Sequence, residues 1–195
     1  MRILLALVLL VSTAASAQTL LVLGDSISAA HGIDKQDGWV TLLQQRFDEQ
    51  CPDWNVKNAS VSGETSAGGR VRLEGLLADH EIDAVLIELG GNDGLRGLPV
   101  GQLESNLERM IEQSRAAGAR VGLLGLRIPP NYGAAYTELF EETFRSVAEE
   151  ARVPFVPRLL EGIGGRDEFM QDDGIHPTAD AQPRVLENAW PVIAE

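Results

Sequence analysis

The chain has 195 residues, 44% hydrophobic and 23% charged, with 20 Gly and 9 Pro, a make-up that suits one globular domain with a real core and excludes a disordered chain. Its net charge is −13 and its only lysines are Lys35 and Lys57, so neither nucleic acid nor an anionic lipid surface is an expected partner, since both demand a basic face. The single Cys51 excludes an internal disulfide and any multi-cysteine metal site, and three histidines, His31, His80 and His176, leave little for a metal centre; no metal or cofactor is expected.

Arg2 precedes an apolar run from Ile3 to Val11, followed by Ser12-Thr-Ala-Ala-Ser-Ala17. A positive start, a short apolar stretch and an Ala15-Ser16-Ala17 end predict a secretory signal peptide over residues 1–17. A spanning helix needs about 20 apolar residues, so stable membrane insertion is not expected. The chain is expected to be exported, to the periplasm or the medium, where Cys51 can pair only between molecules.

Residues 18–195 contain no repeat, low-complexity tract or Pro/Ser-rich linker and read as one domain. Apolar runs alternate with segments of helical period, the signature of a parallel α/β fold. Leu20-Leu-Val-Leu23 predicts a buried first strand, and Trp39, Val40, Leu43 and Phe47 predict a helix. Trp54 to Asn58 is a weaker strand, followed by a Gly-rich turn at Ser62-Gly63 and a helix over about Arg70 to Asp79. Ala84-Val-Leu-Ile-Glu-Leu89 is the strongest strand. Leu103, Leu107, Met110 and Ile111 share a helix face that ends by Gly118.

A fourth strand covers Arg120 to Leu126, and Leu139, Phe140, Phe144 and Val147 mark the next helix. Val153 to Val156 forms a short fifth strand, and Val185, Ala189, Val192 and Ile193 a last helix interrupted or ended near Pro191. The expected architecture is a three-layer α/β/α sandwich, flavodoxin-like, with a five-stranded parallel sheet. Right-handed crossovers bring all strand C-termini to one edge, where ligands bind in such sheets.

Polar punctuation falls on that edge. Gly24-Asp25-Ser26-Ile27-Ser28 follows the first strand, Asn58-Ala-Ser-Val-Ser-Gly63-Glu-Thr65 the second, and Gly90-Gly91-Asn92-Asp93-Gly94 the third. Asp172-Asp173-Gly174-Ile175-His176-Pro177 lies before the last helix. Ser, Gly, Asn, Asp and His converging on one edge suit acyl transfer.

Ser26 is the candidate nucleophile: it is expected in a strand-to-helix turn, exposed and near a helix N-terminus, although capping that helix is the plainer role. The sequence is not the G-x-S-x-G elbow, because position 28 is Ser, which argues against the α/β-hydrolase fold. A hydroxyl needs a base, and His176 follows Asp173 by three residues with Gly174 to let the loop turn back. That spacing lets a carboxylate orient Nδ1–H and leaves Nε2 for the serine. His31, with Asp34 nearby, is the competing base; His80 reads as a solvated residue at a helix end. The N–H groups of Ser26 and Gly63 with the Asn92 amide are candidate oxyanion donors from three neighbouring loops. The Gly90–Gly94 stretch otherwise reads as a flexible turn, lacking both the P-loop Lys-Ser/Thr and G-x-G-x-x-G.

Four blocks in this order resemble the GDSL, or SGNH, hydrolases, named for Ser, Gly, Asn and His. Gly24-Asp25-Ser26 matches the first block, with Ile27 where the name has Leu; Gly63 matches the second, Gly91-Asn92-Asp93 the third, and Asp173-Gly-Ile-His176-Pro177 the last. Residues 89–97, 130–133 and 170–177 are similar to the thioesterase, lysophospholipase and arylesterase branch of bacterial enzymes. The segment Ser28-Ala-Ala-His31-Gly departs from the family, where relatives often carry Gly and an aromatic residue.

The resemblance implies Ser26 as nucleophile, His176 as base and Asp173, rather than Asp172, as its orienter. It also implies oxyanion donors at Ser26, Gly63 and Asn92, no cofactor, and small-molecule acyl esters or thioesters as substrates. The expected enzyme is a serine esterase forming an acyl-enzyme on Ser26, acting as a monomer. Its acyl-chain surface is expected from Leu95 and Leu98, in a mobile apolar loop, and from Ile128, with core packing as the competing role. The alternatives are a carbohydrate O-acetyl esterase and, in a different class, a non-catalytic ligand-binding domain. An intact Ser26, Asp173 and His176 argue against the latter, because a binding module has no need of a general base.

Overall fold

A computed structural model describes residues 17–194. Its five strands are β1 (Gln18–Gly24), β2 (Trp54–Asn58), β3 (Ala84–Glu88), β4 (Arg120–Leu124) and β5 (Phe155–Val156). Its six helices are α1 (Trp39–Gln50), α2 (Ser66–Asp79), α3 (Gly91–Leu95), α4 (Val100–Ala116), α5 (Ala134–Ala151) and α6 (Gln182–Ile193). The expected leader lies outside the described residues except for Ala17. No helix among the described residues is long and apolar enough to cross a membrane.

All strand pairs are parallel, in the order β2-β1-β3-β4-β5. Helices α1 and α6 pack together, as do α2, α4 and α5 in turn, so the sheet lies between two helical layers. This is the expected flavodoxin-like sandwich. Strands covered on both faces read as unbroken apolar runs, and Leu21, Val22 and Leu23 of β1 and Ile87 of β3 are indeed wholly buried. Each such side chain contributes about 1.5–3 kcal/mol relative to exposure.

The sequence expectation for α2 began four residues late. The expected helix opened at about Arg70, yet it starts at Ser66, where the Thr65 side chain accepts the Gly68 N–H at 3.3 Å. Gly69 is there for packing: a Cβ would come within 2.2 Å of Leu89 Cδ1. The Gly90–Gly94 segment is not a loose turn either. Gly90 takes φ +121° and the chain then winds into α3, with Asp93 and Gly94 buried. Of the four residues that mark α5, Leu139 is 51% exposed, while Phe140, Phe144 and Val147 carry the packing. Pro191 sits inside α6, which runs on to Ile193.

The register sets the site. Gly24 of β1 pairs with Glu88 of β3, so the polar segments that follow the two strands leave the sheet side by side. Trp39 N–H, opening α1, is accepted by Gln182 Oε1, opening α6, at 3.0 Å. The helix after the Ser26 segment and the helix after the His176 loop therefore start from a common point.

Candidate active site

No helix starts at Ser26, contrary to expectation. Residues 26–32 form consecutive turns, closed by Ala29 N–H on Asp25 C=O (3.0 Å) and His31 N–H on Ser26 C=O (3.1 Å). Capping of a following helix is thereby removed as a role for Ser26. Its hydroxyl instead lies 2.9 Å from His176 Nε2.

The His176 loop is organised by its own backbone. Gly174 takes φ +67°, its N–H reaches Gln171 C=O (2.8 Å), and Gln171 N–H reaches His176 C=O (2.8 Å). Asp173 then turns inward: Oδ1 accepts the N–H groups of Ile175 (2.9 Å) and His176 (3.0 Å), and Oδ2 lies 2.6 Å from His176 Nδ1. A carboxylate can only accept, so Nδ1 carries the proton and Nε2 is left to accept from Ser26. Burial would raise the Asp173 pKa, but the hydrogen bonds from His176 and Ile175 and the charge on the imidazole outweigh it and hold the carboxyl at about 2. Asp172 is exposed.

His31 does not compete for the serine. Its ring lies against that of His176, with centroids 4.4 Å apart. Gln171 Nε2 donates to His31 C=O (2.8 Å) and to Pro177 C=O (2.9 Å), tying the Ser26 segment to the His176 loop. His80 is exposed at the end of α2, as expected.

The remaining candidates come together at the same place. Gly63 takes φ +80°, and Arg96 donates to its carbonyl at 2.9 Å. Asn92, on α3, donates from Nδ2 to Asp25 Oδ2 at 3.1 Å. A buried network holds the two loops in relation: Asp93 accepts the Ser66 hydroxyl (2.6 Å) and N–H (2.8 Å), and Asn106 donates to Ser66 Oγ (2.9 Å). The N–H groups of Ser26 and Gly63 have no acceptor among the described residues, which leaves both free for a ligand oxygen.

Leu95 and Leu98 are both half-buried, and Leu95, expected in a loop, is the last residue of α3, with Leu98 in the segment that follows. Both are tied down, because Leu95 C=O accepts the Tyr132 hydroxyl (2.9 Å) and Leu98 C=O that of Tyr136 (2.8 Å). Ile128 corrects the expectation. It is 3% exposed and belongs to the core, where a Cβ on Gly94 would meet both its Cγ2 and the Phe140 ring. Gly94 leaves a gap that Ile128 fills from below, so it forms no groove wall.

Sequence reasoning gave no role to Glu88, which is wholly buried beneath the Ser26 segment, or to Ser28, Arg96 and Gln171. A glutamate inside an otherwise apolar strand was the available signal for the first. Among the described residues no group of three or more His, Cys, Asp or Glu side chains is placed to hold a metal ion.

A hydroxyl, an imidazole and a carboxylate in hydrogen-bonded series, at the C-terminal edge of a doubly wound sheet, define a serine hydrolase of the three-layer α/β class. Residues 22–182 match the model of the GDSL-like lipase/acylhydrolase family. The chain is 56% identical over 189 residues to Esterase TesA of Pseudomonas aeruginosa, covering 97% of this chain and 94% of that one. It is 43% identical over 181 residues to the thioesterase 1/protease 1/lysophospholipase L1 of Escherichia coli K12, covering 93% and 86%. The crystal structure of esterase EstA from Pseudoalteromonas sp., inhibited by monoethylphosphonate, superimposes with a TM-score of 0.86 at 41% identity, covering 91% of this chain and 97% of that one. The chain belongs to the GDSL-like lipase/acylhydrolase family and is a serine ester hydrolase.

Proposed function

We propose that the protein is an exported, monomeric esterase in which Ser26 is the nucleophile, His176 the general base and Asp173 its orienter. The 2.9 Å approach of Ser26 Oγ to His176 Nε2 carries this reading. As Oγ bonds to the acyl carbon, its proton passes to Nε2, and the carbonyl oxygen takes the negative charge. The N–H groups of Ser26 and Gly63 and the Asn92 amide receive that oxygen. Nε2 then protonates the departing alcohol or thiol. Water, giving its proton to the same nitrogen, hydrolyses the acyl-enzyme, and Ser26 recovers its hydrogen as the acid leaves.

Acyl esters and thioesters, including aryl or short-chain esters, lysophospholipids and acyl thioesters, are the substrates. The names of the relatives, an esterase in one case and a thioesterase and lysophospholipase in another, support that range. Leu95 and Leu98 form the wall along which the acyl chain lies. The leader over residues 1–17 directs the chain to the periplasm or beyond.

An organophosphonate ester tests the nucleophile, since activation by His176 is local. One adduct is expected, on Ser26. An adduct on Ser28, Ser62 or Ser66, located by peptide mass spectrometry, overturns the assignment.

A further inference from the structure

Two carboxyl groups lie beneath the nucleophile turn and take no part in the reaction as written. Glu88 closes β3 beside Gly24 and is wholly buried; Asp25 is 2% exposed. Glu88 Oε2 accepts the Ser28 hydroxyl (2.7 Å) and the Asp25 N–H (3.2 Å). Asp25 in turn accepts the Ile27 N–H on Oδ1 (3.1 Å) and the Asn92 amide on Oδ2 (3.1 Å). The residue before Ser26 and the residue two after it are thus both held by one oxygen of Glu88. Position 24 is bare to allow it, because a Cβ there would stand 2.7 Å from Glu88 Oε2 and from Ser28 Cβ.

Burying a carboxyl costs free energy that an apolar side chain at the same place would not. What the carboxyl supplies is geometry. We propose that Glu88 is a positioning residue for ester hydrolysis: by gathering the Asp25 N–H and the Ser28 hydroxyl on one oxygen, it sets the turn from which Ser26 meets His176. The inference rests on Ser26 being the nucleophile.

The surroundings of Glu88 favour its neutral form. Burial raises its pKa well above the carboxylate range and the Asp25 carboxyl raises it further, against the hydrogen bonds from Ser28 and Asp25. Asp25 is itself pushed up to about 6, chiefly by burial and also by Asp93, while the Ile27 N–H, the Asn92 amide and the charge of His176 pull it down. Two adjacent buried carboxyls do not both ionise, and complete burial disfavours the charge on Glu88. Glu88 Oε1 has no partner among the described residues, a lesser penalty for an acid than for a carboxylate.

Hydrolysis of p-nitrophenyl butyrate by Glu88→Ala, Glu88→Gln and Ser28→Ala tests this, together with the rate of phosphonylation at Ser26. Glu88→Ala is expected to lower kcat at least about tenfold, in line with the effect of misplacing a reacting group, with KM within about twofold. Glu88→Gln keeps an acceptor oxygen without charge and should recover most of that loss. Ser28→Ala should fall between the two and add little to Glu88→Ala, because both remove the same link. Phosphonylation should slow in parallel with kcat.

Wild-type kcat and phosphonylation in Glu88→Ala, or in Ser28→Ala if the first variant does not fold, overturns the proposal. Glu88→Gln as impaired as Glu88→Ala overturns the neutral form. Failure of the wild-type protein to label at Ser26 strikes the nucleophile assignment instead.

Discussion

The rings of His31 and His176 lie 4.4 Å apart between centroids and are tilted by 41°. One ring belongs to the Ser26 segment and the other to the loop that approaches it from 150 residues away, and Gln171 bonds to both loops. A side chain at position 31 therefore lies against the imidazole that we propose accepts the serine proton.

A fixed charge there should move the pH dependence. His176 works as a base only when neutral, and a cation beside it disfavours its protonated form. In His31→Lys the low-pH limb of kcat/KM should shift to lower pH by about 0.5 unit, a modest size because position 31 is exposed to screening solvent. In His31→Glu it should shift the other way. Superimposable limbs in pH profiles of the three proteins would refute this.

Asp173 and Asp172 should differ sharply. An orienting carboxylate fixes the histidine tautomer and stabilises the imidazolium, and its loss in a serine protease cost about 10⁴ in kcat. Asp173→Asn should lower kcat by at least about tenfold, and Asp172→Asn should stay near wild type. Stability carries a second sign. The folded pKa of Asp173, about 2, lies below its ordinary 3.8, so the group stabilises the fold above that ordinary value and ceases to as pH falls through the folded one. Denaturant titrations should show Asp173→Asn less stable than wild type at pH 6 and the two converging as the pH approaches 2.

Asn92 should be needed in the transition state more than in binding. Asn92→Ala should lower kcat by about 10²–10³ with little change in KM. Its amide also bonds Asp25, so circular dichroism must accompany the kinetics. A KM effect with kcat preserved would reassign Asn92 to substrate binding.

Leu98 and Ile128 should part company. Leu98→Ser should shift preference towards shorter acyl chains and leave acetyl ester hydrolysis intact. Ile128→Ser opens a gap in the core against Phe140 and Gly94 and should cost about 2–5 kcal/mol of stability, as large-to-small core changes do. Equal loss on every chain length for Leu98→Ser would place that residue in packing too.

The strands and their order of chemistry were legible along the chain because both are local. Leu20–Leu23 and Val85–Ile87 are apolar throughout, as strands covered on both faces are, and the Ser26 and Asn92 blocks stand in short polar segments directly after them, while the Gly63 block follows the weaker β2 and the His176 block precedes α6. The preference for Asp173 over Asp172 came from the family resemblance, with the one-glycine turn in agreement, and it is the Asp173 carboxylate that lies 2.6 Å from His176 Nδ1. Other features depended on what lies across the sheet. The first turn of α2, missed along the chain, carries Gly69 because Leu89, directly after β3, packs against it. Ile128 reads as a loop residue until Phe140 and Gly94 close over it. Glu88 has a role only because parallel pairing sets it beside Gly24, 64 residues earlier, and local periodicity carries no record of which strands become neighbours. Hydrophobic pattern determines which face of an element is buried; the partner that buries it, and the distance from Ser26 to His176, come from tertiary packing alone.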